Sequence, residues 1–117
     1  MATVRLMSGE LSAKARRHLR GMAHHLRPIV LVGKDGVSEE LLGAARTALA
    51  DHELIKVKLG ENAGGDRVAL AEAISTATGA SQVGLIGRVL LLYKRHPKTP
   101  KIELPSEKKS HKSKRAS

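Results

Sequence analysis

Gly33-Lys34-Asp35-Gly36 carries the most chemistry per residue in the chain. Glycine permits positive φ and close backbone approach, and a helix beginning just beyond such a loop offers unpaired N–H groups to an anion. Lys34 could then touch a phosphate. The spacing matches neither the G-x-x-x-x-G-K-[ST] loop nor the G-x-G-x-x-G fingerprint, and Asp35, Glu39 and Glu40 would repel phosphate nearby. On the residues alone a tight strand-to-helix turn is the slightly favoured reading. Gly84-Leu-Ile-Gly87 fits the same pattern and marks only a strand and its turn.

The second candidate is a run of cations. From Leu11 through Lys34 the chain has six basic residues, Lys14, Arg16, Arg17, Arg20, Arg27 and Lys34, and no acidic one. Uncompensated arginines on one helix face favour phosphate contact over an ordinary solvated surface. Lys56, Lys58 and Arg88 are secondary candidates. Catalytic and metal chemistry find no support. His24 and His25 are adjacent, so in a helix they point about 100° apart and cannot share one ion. His18, His52, His96 and His111 are scattered, no carboxylate sits in an isolated apolar setting, and the absence of cysteine removes thiolate sites, thiol nucleophiles and disulfides. No enzyme, metal, cofactor or small-molecule substrate is expected.

The whole chain of 117 residues has 21 Lys plus Arg against 11 Asp plus Glu, a formal net charge of +10, which points to a polyanionic partner. Residues 94–117 hold nine of those cations against Glu103 and Glu107, a net of +7, leaving +3 for the first 93 residues. Tyr93 is the only residue among Phe, Trp and Tyr, so platforms for stacking bases are nearly excluded. No apolar run resembles a signal peptide or a membrane span, which suits a cytoplasmic protein without membrane contact.

These candidates need a frame to hold them. Leu11, Ala15, Leu19, Met22 and Leu26 recur at helical spacing, with Ser12 as N-cap and Pro28 biasing Arg27 out of the helix. Arg16, Arg17, Arg20 and His24 fall on a neighbouring arc. Pro28 to Val32 reads as a buried strand, and Glu39 to Asp51 as a helix capped by Ser38. Leu54 to Leu59 reads as a half-exposed strand with Lys56 and Lys58 outward, and Arg67 to Thr78 as a helix between Asp66 and Gly79. Gln82 to Ile86 and Val89 to Tyr93 form a hairpin turning at Gly87-Arg88. The order α-β-α-β-α-β-β specifies one small two-layer α/β domain: a four-stranded mixed sheet, largely parallel, with the two crossover helices on one face.

Four segments together carry a family resemblance: Arg17-His-Leu-Arg-Gly-Met-Ala-His24, Leu26-Arg-Pro-Ile-Val-Leu-Val-Gly-Lys-Asp-Gly36, His52-Glu-Leu-Ile-Lys-Val-Lys58 and Ile86-Gly-Arg-Val-Leu-Leu-Leu-Tyr93. They resemble the CRM domain, the chloroplast RNA splicing and ribosome maturation domain, in its stand-alone bacterial form. The resemblance runs from Ser12 to the Lys101-Ile-Glu-Leu-Pro105 ending. It implies RNA binding on a fold similar to the C-terminal domain of translation initiation factor three, with bacterial members associated with precursors of the large ribosomal subunit. It also implies that the loop bounded by Gly33 and Gly36 contacts RNA as its counterpart does in KH domains, reversing the reading from the residues alone. Asp35 and the Lys/Ser-rich tail depart from the family pattern.

The expected organisation is a flexible N-terminus over residues 1–11, an RNA-binding domain over 12–105 and a disordered basic tail over 106–117. The expected function is non-catalytic binding of ribosomal RNA by a monomer during large-subunit assembly, with Arg16, Arg17, Arg20, Arg27, Gly33, Lys34 and Gly36 as principal contacts and Lys56, Lys58 and Arg88 as secondary ones. A nucleoid-type DNA-binding architectural protein and an adaptor for a ribosomal protein are the alternatives.

Overall fold

The computed structural model describes residues 11–104, so all of the expected flexible N-terminus except Leu11, and the whole basic tail, lie outside the described residues. Helix α1 spans Ala13–Ala23, strand β1 Pro28–Val32, helix α2 Glu39–His52, strand β2 Leu54–Leu59, helix α3 Arg67–Thr78, and strands β3 and β4 Ser81–Ile86 and Val89–Tyr93. The caps follow from side-chain chemistry. Ser12 and Ser38 each accept an amide N–H three residues on, from Ala15 at 3.0 Å and Leu41 at 3.1 Å, and Asp66 accepts from Ala69. Gly79 closes α3 in the left-handed conformation at φ 77°.

The four strands lie in the order β1-β2-β4-β3. β1 pairs parallel to β2, whereas β4 pairs antiparallel to both β2 and β3. Three strands thus share one direction, but the hairpin inserts β4 between β2 and β3, and only one of the three pairings is parallel. The sheet is mixed and less parallel in its ladders than the strand–helix alternation implies, because α3 carries the chain past the place that β4 later fills.

The expected pair of crossover helices covers one face of the sheet. There Val30, Val32, Ile55, Val57, Leu59, Leu90 and Leu92 meet Leu41, Leu42 and Leu49 of α2 and Leu70, Ala71 and Ile74 of α3. α1 adds a partial third layer on the opposite face, where Leu19 and Ala23 pack on Leu54, Val83, Leu91 and Tyr93. Its buried stripe runs Ala15, Leu19, Ala23, and Met22 and Leu26 remain 39% and 38% exposed. The helix therefore ends one turn earlier than the spacing of apolar residues predicts. A further correction concerns β1: it is an edge strand with only Val30 and Val32 buried, while Ile29 and Leu31 are 52% and 64% exposed. α1 packs on β2, β3 and β4 and does not extend over it.

Glu53, the single residue between α2 and β2, is fully buried at φ 66°. Its carboxylate accepts the backbone N–H groups of His96 (2.9 Å), Lys101 (3.0 Å) and Ile102 (2.8 Å). Its own C=O accepts from Lys94 N–H at 2.8 Å. The segment after β4 has no regular secondary structure yet is strapped back onto the domain, with Ile102 and Leu104 against the α1 cluster. Burial alone would raise the Glu53 pKa, but the three amide donors and nearby His96 outweigh it and hold the carboxyl below its ordinary value of 4.5.

Because the unfolded carboxyl binds protons more readily, this stabilisation is complete above about pH 4.5 and is lost as pH falls through the depressed folded value. Urea unfolding followed across pH 3 to 7 is expected to show this loss in the native protein and a flatter profile in Glu53→Gln. At neutral pH that variant is expected to be less stable by about 2 kcal/mol, the scale of hydrogen bonds to a buried charged group.

Candidate nucleic-acid interface

β2 alternates between the two faces of the sheet. Ile55, Val57 and Leu59 enter the core under α2 and α3, so Lys56 and Lys58 share the side of Leu54, the side α1 covers. By the same alternation Ile29 and Leu31 face that side, and Leu31 stands beside Lys58 in the β1–β2 register. The result is a sheet face roofed by α1 over β2, β3 and β4 and open over β1, mixing two lysines with two exposed aliphatic side chains.

α1 brings Arg20 down onto this face over β2, β4 and β3. Arg20 lies so close to the sheet that a Cβ on Gly84 would stand 3.4 Å from its Cδ. Arg20, His24 and Lys56 line one groove of about 260 Å³, floored by Ala23, Ile86, Val89 and Leu91. Arg17 and Arg27 are both exposed. Arg16 is turned back instead, its Nη1 donating to the C=O of Leu11 at 2.8 Å.

At the far end of β1 the Gly33–Gly36 segment forms a turn in which Gly36 N–H donates to the Gly33 C=O at 3.0 Å and Gly36 takes φ 67°. Lys34 and Asp35 occupy its exposed corner. Gly36 is required by its backbone conformation. Gly33 is not: its φ is not positive and an added Cβ would meet nothing within 4 Å. Gly21, midway along α1, is likewise exposed with open space where a Cβ would stand, so no neighbouring segment accounts for it.

Arg88 takes a different part. Its Nε and Nη2 donate to the C=O groups of Leu59 (2.8 Å) and Gly60 (2.6 Å), which locks the end of β2 to the hairpin turn. By contrast Arg17, Arg20, Arg27, Lys34, Lys56 and Lys58 make no hydrogen bond or ion pair among the described residues. The structure thus gathers Arg20 and Lys56 in one groove, sets Lys58 beside them and Arg27 and Lys34 at the two ends of β1, and draws Arg16 and Arg88 into scaffold contacts. Sequence reasoning missed the open apolar face of β1 and the role of Glu53. The adjacency of Pro28 to an edge strand was the available signal for the first; for the second there was none beyond its place after a helix. No described helix is long and apolar enough to cross a membrane.

An α/β domain of this topology, with a basic helix and a glycine-bounded loop flanking an open sheet face, defines a class of small surface-binding module. Residues 11–94 match the model of the CRS1/YhbY (CRM) domain, and the chain belongs to that family. It is 45% identical over 98 residues to an RNA-binding protein of Haemophilus influenzae, covering 81% of this chain and 95% of that one. With the probable RNA-binding protein YqeI of Bacillus subtilis it shares 40% identity over 95 residues, 81% of this chain and 99% of the relative. The solution structure of a Staphylococcus aureus protein, described as a candidate RNA binder, superposes with a TM-score of 0.70 at 37% identity, covering 81% of this chain and 99% of that one. The strap held by Glu53 lies beyond the 11–94 match, although the fold depends on it.

The division of the cations has a measurable consequence. Arg88→Ala is expected to lower stability by about 1–2 kcal/mol in thermal or urea unfolding, since two carbonyls lose a charged donor. Lys58→Ala, on an exposed side chain without partners, is expected to stay within about 0.5 kcal/mol of the parent.

Proposed function

We propose that this chain is a non-catalytic RNA-binding protein that grips ribosomal RNA by its backbone during assembly of the large ribosomal subunit. The observation that carries the reading is that six cations, Arg17, Arg20, Arg27, Lys34, Lys56 and Lys58, make no hydrogen bond or ion pair among the described residues. Guanidinium and ammonium groups unengaged by carboxylates are the groups that exchange counterions for phosphates. Gly33 fits the same role. With no internal reason for a glycine, its missing side chain leaves room for a sugar-phosphate chain to approach the turn, while Lys34 supplies charge there. The names of the relatives support RNA as the polyanion, and the near absence of aromatics supports backbone and shape over stacking as the principal grip. Arg16 and Arg88 support the surface from behind.

Neutralising about six phosphates gives a slope of log affinity against log salt near −4 for single strands and near −5 for a duplex. Titrations of a large-subunit ribosomal RNA fragment between 50 and 300 mM salt are expected to give slopes of that size. Arg17→Ala combined with Arg20→Ala is expected to flatten the slope by about one to two and to weaken binding more than deletion of residues 106–117 does. Gly33→Ala is expected to leave stability unchanged and weaken binding. A slope near zero, equal competition by duplex DNA, or dominance of the tail deletion would refute the reading.

A further inference from the structure

A second feature of the open face is not explained by phosphate contact. Below the start of β1, where β2 extends past its neighbour, a cavity of about 340 Å³ is walled by Met22, Ile29, Leu54, Ile55 and Ile102. Arg27 and His52 stand at its lining and no carboxylate does. Met22 and Ile29 keep 39% and 52% of their surface exposed, so apolar surface faces solvent in a chain otherwise dominated by charge. A cavity of this size falls in the range of ligand pockets.

We propose that this cavity receives an unpaired base of the bound RNA, an inference that rests on the RNA-binding reading and deepens it. Three observations select a nucleobase over an apolar protein side chain. First, Arg27 lines the cavity, His52 offers ring nitrogens beside it and no carboxylate is present in the lining to pair an incoming basic residue, so the site is complementary to an apolar group attached to an anion. Second, the cavity lies in line with the candidate phosphate contacts. Ile29 and Gly33 are four residues apart on an extended strand, about 13 Å at 3.3 Å per residue. Four nucleotides at the stacked spacing of about 3.4 Å cover that distance. Leu31 and Lys58 line the path between. Third, the walls are a thioether and flat-sided aliphatic chains, which pack against a π-face without an aromatic partner. The backbone would be held at the turn and along Lys58 while one base is turned inward at the foot of β1.

The test compares two RNA probes carrying equal numbers of phosphates, an adenylate octamer and an octamer of the same length with abasic riboses, on the full chain. The adenylate octamer is expected to bind about tenfold more tightly, within the range of a base packed on a protein surface. Met22→Ala combined with Ile29→Ala, both at exposed positions, is expected to bring it down to the abasic affinity and leave the abasic affinity unchanged. Isotope-filtered NOEs should join the Met22 and Ile29 methyl groups to adenine H2 and H8. Assignment is direct because the protein has three methionines and a single Tyr. Equal binding of the two octamers with steep salt dependence, or failure of both octamers to bind while the ribosomal RNA fragment binds, would overturn the base pocket and leave the backbone reading standing; failure of the fragment to bind as well would sink both. Methyl shifts caused by ribonuclease-treated ribosomal protein and not by RNA would assign the cavity to a protein partner and overturn the proposal.

Discussion

Burying a carboxylate is costly unless its oxygens are fully occupied, and the arrangement that satisfies Glu53 sets the limits of the rest of the domain. Its positive φ of 66° lets the chain pass from α2 into β2 through one residue, whose side chain is fully buried. The strap after β4 supplies the donors, and residues 96–102 are thereby held to the domain. Ile102 is thereby placed as a wall of the cavity below β1. The Lys94 N–H to Glu53 C=O bond carries the β2–β4 ladder one step further and fixes where the strap starts. One interaction therefore joins a helix end, two strands and the segment that closes the α1 side.

The strong positive charge is divided between two uses. Arg46 donates to the Ala77 C=O and Lys94 to the Thr78 C=O, so the end of α3, which has no basic residue in its own last turn, is neutralised from α2 and from the strap. Lys101 does the same for α2 at Asp51. Arg88 serves the end of β2. These cations answer partial charges already present in the fold, and they lie toward α2, α3 and the hairpin. Arg17, Arg20, Arg27, Lys34, Lys56 and Lys58, along α1, β1 and β2, have no such carbonyl to answer among the described residues. A net charge counts both kinds alike, whereas only the second kind is available to an external anion.

The elements and their order were legible in the residues because each boundary has a local chemical cause. Ser12, Ser38 and Asp66 cap, Gly79 and Gly87 take positive φ, and β2 alternates apolar and lysine from Ile55 to Leu59. What could not be read was which neighbour each apolar residue meets. Pro28 to Val32 is uniformly apolar, the pattern of a strand buried on both faces, yet β1 lies at an edge and only Val30 and Val32 find partners. Met22 and Leu26 fit a helical period as well as Ala23 does, but of the three it is the small Ala23 that sits where α1 touches the sheet. The candidate site was legible in the same uneven way. Charge and the glycine loop marked its ends, while the scaffold bonds of its arginines were not legible: Arg16 reaches back five residues to Leu11, and Arg88 reaches Leu59 and Gly60 across the sheet.

The early end of α1 is what gives this face its character. Pro28 disfavours helical geometry at Arg27, and the chain leaves the helix after Ala23 through a turn in which Leu26 N–H donates to the Ala23 C=O. An 11-residue helix is about 16 Å long, enough to lie over β2, β4 and β3 but not to reach past β2. A further turn of helix would have given Met22 and Leu26 a continuous apolar ridge to lay across Ile29 and Leu31, sealing the face at the cost of the opening. With the helix stopped short, Arg20 and His24 at its end border one groove over β2, β4 and β3, and Arg27 beyond it borders the apolar cavity below β1. Charge at the rim and apolar surface within is the arrangement that suits a polymer whose outside is anionic and whose bases are not. It arises here from where one helix ends, with no need for the aromatic residues this chain lacks.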